Sequence, residues 1–233
     1  MTELLDKHKI RNKKSLSGDL IIYIKQQILL GFINPGERIV ETRIAKELGI
    51  SQTPIREAIR HLAGEGIVTI VPNKGPHVRI LTSRDIFEIY SLRIALESLA
   101  IKLAILNSSE EDIAYLEDFF EKMRQKVKDE SVTSLAEDSA FIHNYIYQLS
   151  KHTWLMAMNE SISFQISLVN REIEKRYSKQ KEVDEHTEIL EVLKQRDPKL
   201  AEHIMKQHIY RTYQNYLEFN QLQSNITSEH LLL

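Results

Sequence analysis

Three histidines in the second half of the chain are the residues whose chemistry stands out first. His143, His186 and His208 fall on three different predicted helices. Neutral imidazoles that converge inside a helical bundle are good ligands for zinc or a similar divalent ion. A single histidine on a helix more often lies at the surface or at the edge of a core, and spacing alone does not bring three together. A shared metal centre and three unrelated histidines therefore both stay open.

A second group of polar residues lies in a helix-turn-helix pattern over residues 41–60. Ile44 gives a first helix an apolar face, Gly49 can take the positive φ that ends this helix, and Ile55 gives a second helix its apolar face. Ser51 or Thr53 can cap the second helix. The first turn of a recognition helix is where a major-groove reader places its base contacts. The DNA-contacting residues predicted here are Thr42, Arg43, Ser51, Gln52, Thr53 and Arg56.

The segment after these helices predicts a β-hairpin. Two β-rich runs, residues 67–71 and 77–80, flank a turn of proline, asparagine, lysine and glycine. Lys74 at the tip would reach a phosphate or the minor groove. The predicted contacts of this wing are Asn73, Lys74 and Gly75.

The composition is that of a soluble globular protein. The chain has 233 residues, of which 42% are hydrophobic and 27% charged, and no apolar run reaches the ~20 residues of a membrane span. The absence of cysteine excludes disulfides, thiolate metal sites and cysteine nucleophiles. The N-terminus lacks the apolar core of a signal peptide, so we expect a cytoplasmic protein with no membrane partner.

Charge and glycine divide the chain near residue 80. Residues 1–79 carry 13 Lys+Arg against 8 Asp+Glu, the remainder carries 18 against 25, and all seven glycines lie before residue 76. A basic module suits a polyanion, and a long glycine-free stretch predicts helices without tight turns. The fold predicted is mainly α, with an N-terminal winged helix-turn-helix and a C-terminal all-α bundle. The predicted ranges are a basic tail at 1–14, the winged domain at 15–80, the helical domain at 81–220 and a C-terminal tail at 221–233.

The tails and the helical module carry further expectations. The basic tail could form a DNA-contacting arm or a disordered segment that adds non-specific attraction. Helix starts are predicted at Thr82 or Ser83, at Ser108 or Ser109, and at Asp197 before Pro198. A core role is expected for Trp154, Met156, Met158, Phe164 and Tyr210.

The N-terminal pattern resembles the winged-helix domain of the GntR family of bacterial transcription regulators. The resemblance extends from Pro35 to Val78 and includes Leu-Gly-Ile-Ser-Gln-Thr-Pro-Ile-Arg-Glu-Ala-Ile at 48–59. It implies that Arg56, the Ser-x-Thr segment and the glycine region of the wing tip contact operator DNA. Gln52 departs from the arginine usual in relatives, and glutamine prefers adenine where arginine reads guanine. The central bases of the operator are therefore expected to differ from the common family pattern.

The helical module resembles the FCD-type effector domain of the FadR subfamily within that family. In metal-binding members an aspartate one turn before the first histidine joins three histidines, which correspond here to His143, His186 and His208. Ser139 stands at the aspartate position, and Asp138 lies one residue out of register. The resemblance thus implies either a neutral three-histidine site for a divalent ion or an organic acid bound directly.

The residues expected to bind the effector are Arg93, Ser139 and Arg171. In the leading hypothesis a homodimer binds a near-palindromic operator as a repressor, and a small carboxylate controls its affinity. The alternative is a three-histidine metalloenzyme. The sequence carries no His-Glu-x-x-His, phosphate loop or nucleophile elbow, so we expect no enzymatic activity.

Overall fold

The computed structural model describes residues 13–174 and 178–220. Its elements are α1 (Lys13–Leu29), α2 (Glu41–Leu48), α3 (Gln52–Gly64), β1 (Val68–Val71), β2 (Gly75–Val78), α4 (Ser83–Asn107), α5 (Glu110–Val127), α6 (Ala136–Leu149), α7 (Thr153–Glu174), α8 (Lys179–Gln195) and α9 (Pro198–Phe219). The tail predicted at 1–14 lies outside the described residues except for its last two, with which α1 begins. The tail predicted at 221–233 lies outside them entirely.

The chain separates into two compact units, with the boundary between Leu81 and Thr82. In the first unit, α1 and α2 both pack against α3. The buried side chains come from one face of each helix, among them Ile24, Ile28, Ile44, Ile55 and Leu62. Burial of these apolar faces stabilises helices that are too short to persist alone. The predicted winged helix-turn-helix is confirmed.

The predicted hairpin forms as a two-stranded antiparallel sheet. Val68 pairs with Val78, and Val71 pairs with Gly75, so the turn spans residues 72–74. Asn73 (φ 61°) and Gly75 (φ 88°) both adopt left-handed backbone in or beside this turn. Asparagine and glycine tolerate that conformation best, which explains the sequence at the wing tip.

The second unit is a helical bundle built around α4. This helix packs along α9 and also contacts α6 and α7, while α5 packs on α8. Tyr90, Ile101, Phe120, Ile142 and Met205 are fully buried in it. Helix α4, which carries Arg93, therefore meets two histidine-bearing helices in the bundle interior. These are α6 with His143 and α9 with His208.

The predicted helix starts of this unit are confirmed. Thr82 and Ser109 each form a capping box with an aspartate three residues later, and the Asp197 side chain caps α9, which opens with Pro198. Each cap satisfies backbone N–H groups that a helix start leaves without partners.

The core role expected of Trp154, Met156 and Met158 is wrong. The Trp154 side chain is 74% exposed, and both methionines are exposed as well. Leu155 is instead the residue of this segment that points inward, and Trp154 and Met158 share an outer face of α7 because they are four residues apart. Phe164 is buried as expected, and Tyr210 is half-buried.

Candidate functional sites

The recognition helix α3 presents its first turn to solvent. Gly49 ends α2 in a left-handed conformation (φ 67°), and Ser51 occupies the N-cap position of α3 in extended conformation. The Ser51 side chain makes no capping hydrogen bond, so the predicted cap is not formed. Ser51 and Thr53 are exposed and Gln52 is half-buried. Their polar groups are placed where a groove-reading helix needs them.

Arg56 is held in a network that the sequence pattern did not indicate. Its Nε donates to Oε2 of Glu41 at 2.6 Å, and its Nη2 donates to Oε1 of Gln52 at 3.1 Å. Glu41 lies on α2, fifteen residues earlier in the chain. A carboxylate on the neighbouring helix thus fixes the guanidinium and partly offsets its charge.

The remaining predicted DNA contacts lie on two surfaces of the same unit. Thr42 and Arg43 are exposed in the first turn of α2, and Asn73 and Lys74 are exposed at the hairpin tip. Gly75 is favoured by its left-handed backbone (φ 88°), because a Cβ there would meet only the Arg38 side chain, at 3.4 Å or more. The wing tip thus presents an exposed amide and an exposed lysine, which suit contacts to phosphates.

The three histidines converge in the helical unit. His143 on α6 places its Nε2 3.3 Å from Nε2 of His186 on α8 and 3.3 Å from Nε2 of His208 on α9. One nitrogen of each ring lies within 4.8 Å of the others. Nitrogen ligands about 2.0–2.1 Å from a tetrahedral ion are roughly 3.4 Å from each other, so this spacing fits a divalent metal.

Hydrogen bonds at the opposite ring nitrogens orient two of these imidazoles. His143 Nδ1 donates to a Glu97 carboxylate oxygen, and His186 Nδ1 donates to the backbone carbonyl of Glu182 at 2.8 Å. Each of these two rings therefore turns an Nε2 lone pair toward the centre. His208 Nδ1 is buried without a hydrogen-bond partner among the described residues.

The electrostatics keep the buried rings neutral. Burial, with a smaller effect of the nearby His143, lowers the pKa of His186 to about 3. Burial, followed by His186 and His143, also lowers the pKa of His208 well below its ordinary value. Neutral imidazole is the form that binds metals, so both rings have the required protonation state at neutral pH.

A buried ion pair adjoins the histidines. Arg93 Nε donates to Glu97 at 2.6 Å. Arg93 Nη2 donates at 3.1 Å to His143 Nε2, the nitrogen whose lone pair a bound ion would use, so metal binding requires this donor to move away. Burial alone raises the pKa of Glu97, but Arg93 and then His143 outweigh it and hold that pKa at about 2. Arg93 Nη1 is buried without a hydrogen-bond partner among the described residues. A guanidinium with an unused donor beside a cavity is suited to an anion.

These groups line one cavity, whose empty volume including its opening is ≈ 420 Å³. Because that volume includes the solvent at the opening, the enclosed space is smaller and suits only a compact molecule. Of the three residues predicted to bind the effector, Arg93 and Ser139 line this cavity, whereas Arg171 is not part of the lining and its neighbour Asn170 is. The residues that line the cavity are Arg93, Ala136, Ser139, His143, Asn170, Ile173, Glu182, Glu185, His186, His208 and Thr212.

Glu182 is the cavity residue that sequence reasoning missed. Its Oε2 accepts a hydrogen bond from Ser139 Oγ at 2.7 Å, and burial raises the pKa of its carboxyl despite that bond. Asp138, in contrast, pairs with Lys126 at 2.6 Å. The one available signal was the spacing of Glu182 and His186, four residues apart on one helix.

Family models match both units of the chain. The model of bacterial regulatory proteins of the gntR family matches residues 16–78, and the model of the FCD domain matches residues 88–211. Among the described residues, none of the helices has the length and apolar character needed to cross a membrane.

Several relatives are bacterial regulators. The chain is 40% identical over 104 residues to an uncharacterized HTH-type transcriptional regulator of Bacillus subtilis, YdhC, covering 45% of this chain and 46% of that protein. It is 36% identical over 132 residues to the Nta operon transcriptional regulator of Aminobacter aminovorans, covering 57% and 62%. The matched part is thus less than two thirds of either relative.

A third relative aligns over most of its length. The HTH-type transcriptional regulator McbR of Escherichia coli is 28% identical over 201 residues, which is 83% of this chain and 90% of that protein. The structure of E. coli McbR/YncC superposes with a TM-score of 0.70 at 26% identity, covering 86% of this chain and 98% of the other. A GntR structure from Rhodococcus at 21% identity has the same fold, with a TM-score of 0.71 and coverage of 88% and 98%.

Proposed function

The chain belongs to the GntR family of bacterial regulatory proteins and carries the FCD domain, and on that premise we propose that it is a transcription regulator that binds operator DNA. The observation that carries this proposal is the solvent-facing first turn of α3, with Gln52, Thr53 and Arg56, in the same compact unit as a hairpin whose tip exposes Lys74. The basic balance of the N-terminal module adds attraction to phosphates. The regulator acts as a repressor.

The base-reading group in this proposal is the pair of Arg56 and Gln52. A guanidinium reads guanine, and a glutamine amide reads adenine. Thr42, Arg43 and the wing residues bind the backbone and fix the register of α3 in the major groove. The selected operator is therefore expected to contain an adenine at the position that Gln52 reads.

We propose that the cavity of the helical unit binds a divalent ion through His143, His186 and His208, and a small carboxylate through Arg93. When bound, the ion supplies a positive centre that attracts the carboxylate of the effector. Glu97 fixes the tautomer of His143 and holds Arg93 in place. The unused Nη1 donor of Arg93 supports an anionic effector, and the modest volume supports a small one. Ser139 provides a further hydroxyl in the cavity wall.

The proposal assigns one function to each unit of the chain. Residues 15–80 bind DNA, and residues 81–220 bind the effector. Effector binding changes operator affinity, which is a coupling free energy of about 1–3 kcal/mol in typical allosteric proteins. The metalloenzyme alternative receives no support from the comparisons, because the relatives are named as regulators.

We also propose that the protein is a homodimer with a cytoplasmic site of action. The support is a stripe of exposed leucines on α4, Leu92, Leu99 and Leu106, at a constant spacing of seven residues. Such a stripe is self-complementary when a second copy of the helix packs against it about a two-fold axis at Leu99. Sedimentation should give a dimer for the wild type and a monomer for Leu99→Glu. Gln125→Glu on the exposed side of α5 is the matched control and should stay dimeric.

DNA binding is tested by selecting a binding site from random DNA and then measuring affinity over a salt series. We expect a two-fold symmetric site and an affinity that falls steeply with salt. Failure to enrich any sequence, with salt-independent background binding, would contradict the proposal.

A further inference from the structure

A divalent ion held by three neutral imidazoles keeps its full double charge in a buried cavity. Burying an uncompensated charge costs free energy, so such a site needs an anionic group nearby. Glu97 cannot serve, because its carboxylate is already paired with Arg93 at 2.6 Å and bonded to His143. The two opposite charges of Arg93 and Glu97 cancel, so in the effector-free protein the compensating carboxylate comes from elsewhere in the cavity wall.

Glu182 is the carboxylate that meets this requirement, because the other carboxylate of the cavity wall, Glu185, is paired with Lys181 at 3.9 Å. Glu182 lines the cavity, and the only ion-pair partner within 4.0 Å that the described residues offer it is His186, at 3.7 Å, which is itself one of the proposed metal ligands. No lysine or arginine of the described residues is within that distance. Its side chain is only 14% exposed, so solvent does not compensate its charge fully.

The position of this carboxylate is tied to Ser139. Ser139 lies four residues before His143 on α6, and Glu182 lies four residues before His186 on α8, so each shares a helix face with a histidine. Ser139 Oγ donates to Glu182 Oε2 at 2.7 Å. The Glu182 carboxylate therefore occupies the space into which a longer acidic side chain at position 139 would project.

We propose that Glu182 is the charge-balancing carboxylate of the metal centre, placed from α8 into the space that the short Ser139 side chain leaves beside α6. This inference rests on the proposed metal centre. Within the part of the chain that the structure describes, the ligand atoms that lie within 4.8 Å of one another belong to the three histidines. Glu182 is thus a positioning residue that acts on the ion through its charge and through Ser139, and the histidine nitrogens hold the ion.

The test is the affinity of the full chain for Zn²⁺, measured by competition with a fluorescent chelator. Glu182→Gln keeps the size of the side chain and an oxygen that can accept from Ser139, so it removes only the charge. We expect it to weaken Zn²⁺ binding by about 10–100-fold, the usual effect of losing an outer neighbour of a metal site. Asp184→Asn, an exposed carboxylate on the same helix, is the matched control and should bind as the wild type does.

Moving the charge across the cavity provides the rescue. The double variant Ser139→Asp with Glu182→Gln places a carboxylate on α6 instead, one helical turn before His143. The affinity for Zn²⁺ should then recover most of what Glu182→Gln loses. A purely structural role of Glu182 would not be rescued in this way. Glu182→Gln cannot be used for this test if it lowers the unfolding midpoint of the metal-free protein. In that case Glu182→Asp is compared with Glu182→Asn, since these two variants have the same shortened side chain and differ in charge. Glu182→Asp should then bind Zn²⁺ at least about 10-fold more tightly than Glu182→Asn does.

The His143→Ala variant separates the two claims. If Zn²⁺ binding is lost in this variant but unchanged in Glu182→Gln, the metal centre stands and the role of Glu182 is overturned. If the wild type itself binds no Zn²⁺, both the metal centre and the inference fail. Loss in His143→Ala together with weakening in Glu182→Gln and recovery in the double variant supports both.

Discussion

Replacing Glu97 with glutamine should destabilise the helical unit strongly, because it leaves Arg93 as an uncompensated buried charge. The Arg93 and Glu97 side chains are only 3% and 4% exposed and are joined at 2.6 Å. Removing one partner of such a pair costs about 3–5 kcal/mol. The glutamine keeps the volume of the side chain, so the loss reports charge and hydrogen bonding rather than a cavity.

The pKa of Glu97 gives an independent magnitude. Arg93 and His143 overcome the opposing effect of burial and lower this pKa from 4.5 to about 2. At about 1.4 kcal/mol per pKa unit, the folded state favours the ionised carboxylate by about 3 kcal/mol. Since the folded pKa is the lower one, this stabilisation is present above pH 4.5 and is lost as the pH falls toward 2. Both routes predict a loss of about 3 kcal/mol at pH 7.

The assay is urea unfolding followed by far-ultraviolet circular dichroism, with a chelator present so that metal does not contribute. The two compact units can unfold in separate transitions, and the one that shifts should belong to the helical unit. Glu202→Gln is the control, because its pair with Lys102 is about a third exposed and should contribute under ~1 kcal/mol. If Glu97→Gln costs no more than Glu202→Gln, the reasoning about the buried pair is refuted.

Further predictions concern both units. Arg56→Ala should weaken binding to the selected operator by about 1–3 kcal/mol and relax base preference, whereas Glu41→Gln should release Arg56, raise non-specific affinity and steepen the salt dependence by about one counterion, measured by fluorescence anisotropy. Glu57→Gln removes the same charge without touching that network, so an equal effect there would contradict the positioning role of Glu41. Gly75→Ala should destabilise the wing by about 1–2 kcal/mol because its φ of 88° strains any residue with a Cβ, while Gly18→Ala in α1, where a Cβ meets nothing within 4 Å, should stabilise by up to ~1 kcal/mol in the same unfolding assay. As the pH falls below 6.5, the metal-free protein should lose about 1.4 kcal/mol of unfolding free energy per pH unit for each of His186 and His208, because the unfolded state protonates both rings while burial keeps them neutral in the folded state; a flat unfolding free energy from pH 6.5 to 5 would show that these rings are not buried as described.

Local features of the fold could be predicted from the sequence because they depend on residues near each other in the chain. Gly49 at the end of α2, the turn around Asn73 and the caps at Thr82 and Ser109 all follow from backbone geometry within a few residues. The outward face of Trp154 could not be predicted in the same way. Its helix has apolar residues on more than one side, and only packing decides which side is buried.

The contacts between helices that position the site residues could not be predicted from the sequence for a similar reason. Glu41 contacts Arg56 fifteen residues later in the chain, and Ser139 contacts Glu182 forty-three residues later, each pair joining two different helices. No spacing rule within one helix connects such pairs, so they depend on how the helices pack. The convergence of the histidines was left open by spacing and entered only through the resemblance to a family.

The metal content of the protein, purified without an affinity tag and compared with His143→Ala, tests the central claim about the helical unit most directly. We expect about one divalent ion per chain in the wild type, because the site has a single set of three ligands, and loss of that ion in the variant. Operator binding should persist in both proteins. A wild type that carries no divalent ion and takes up none on addition of Zn²⁺ would contradict the claim that the three histidines form a metal-centred effector site.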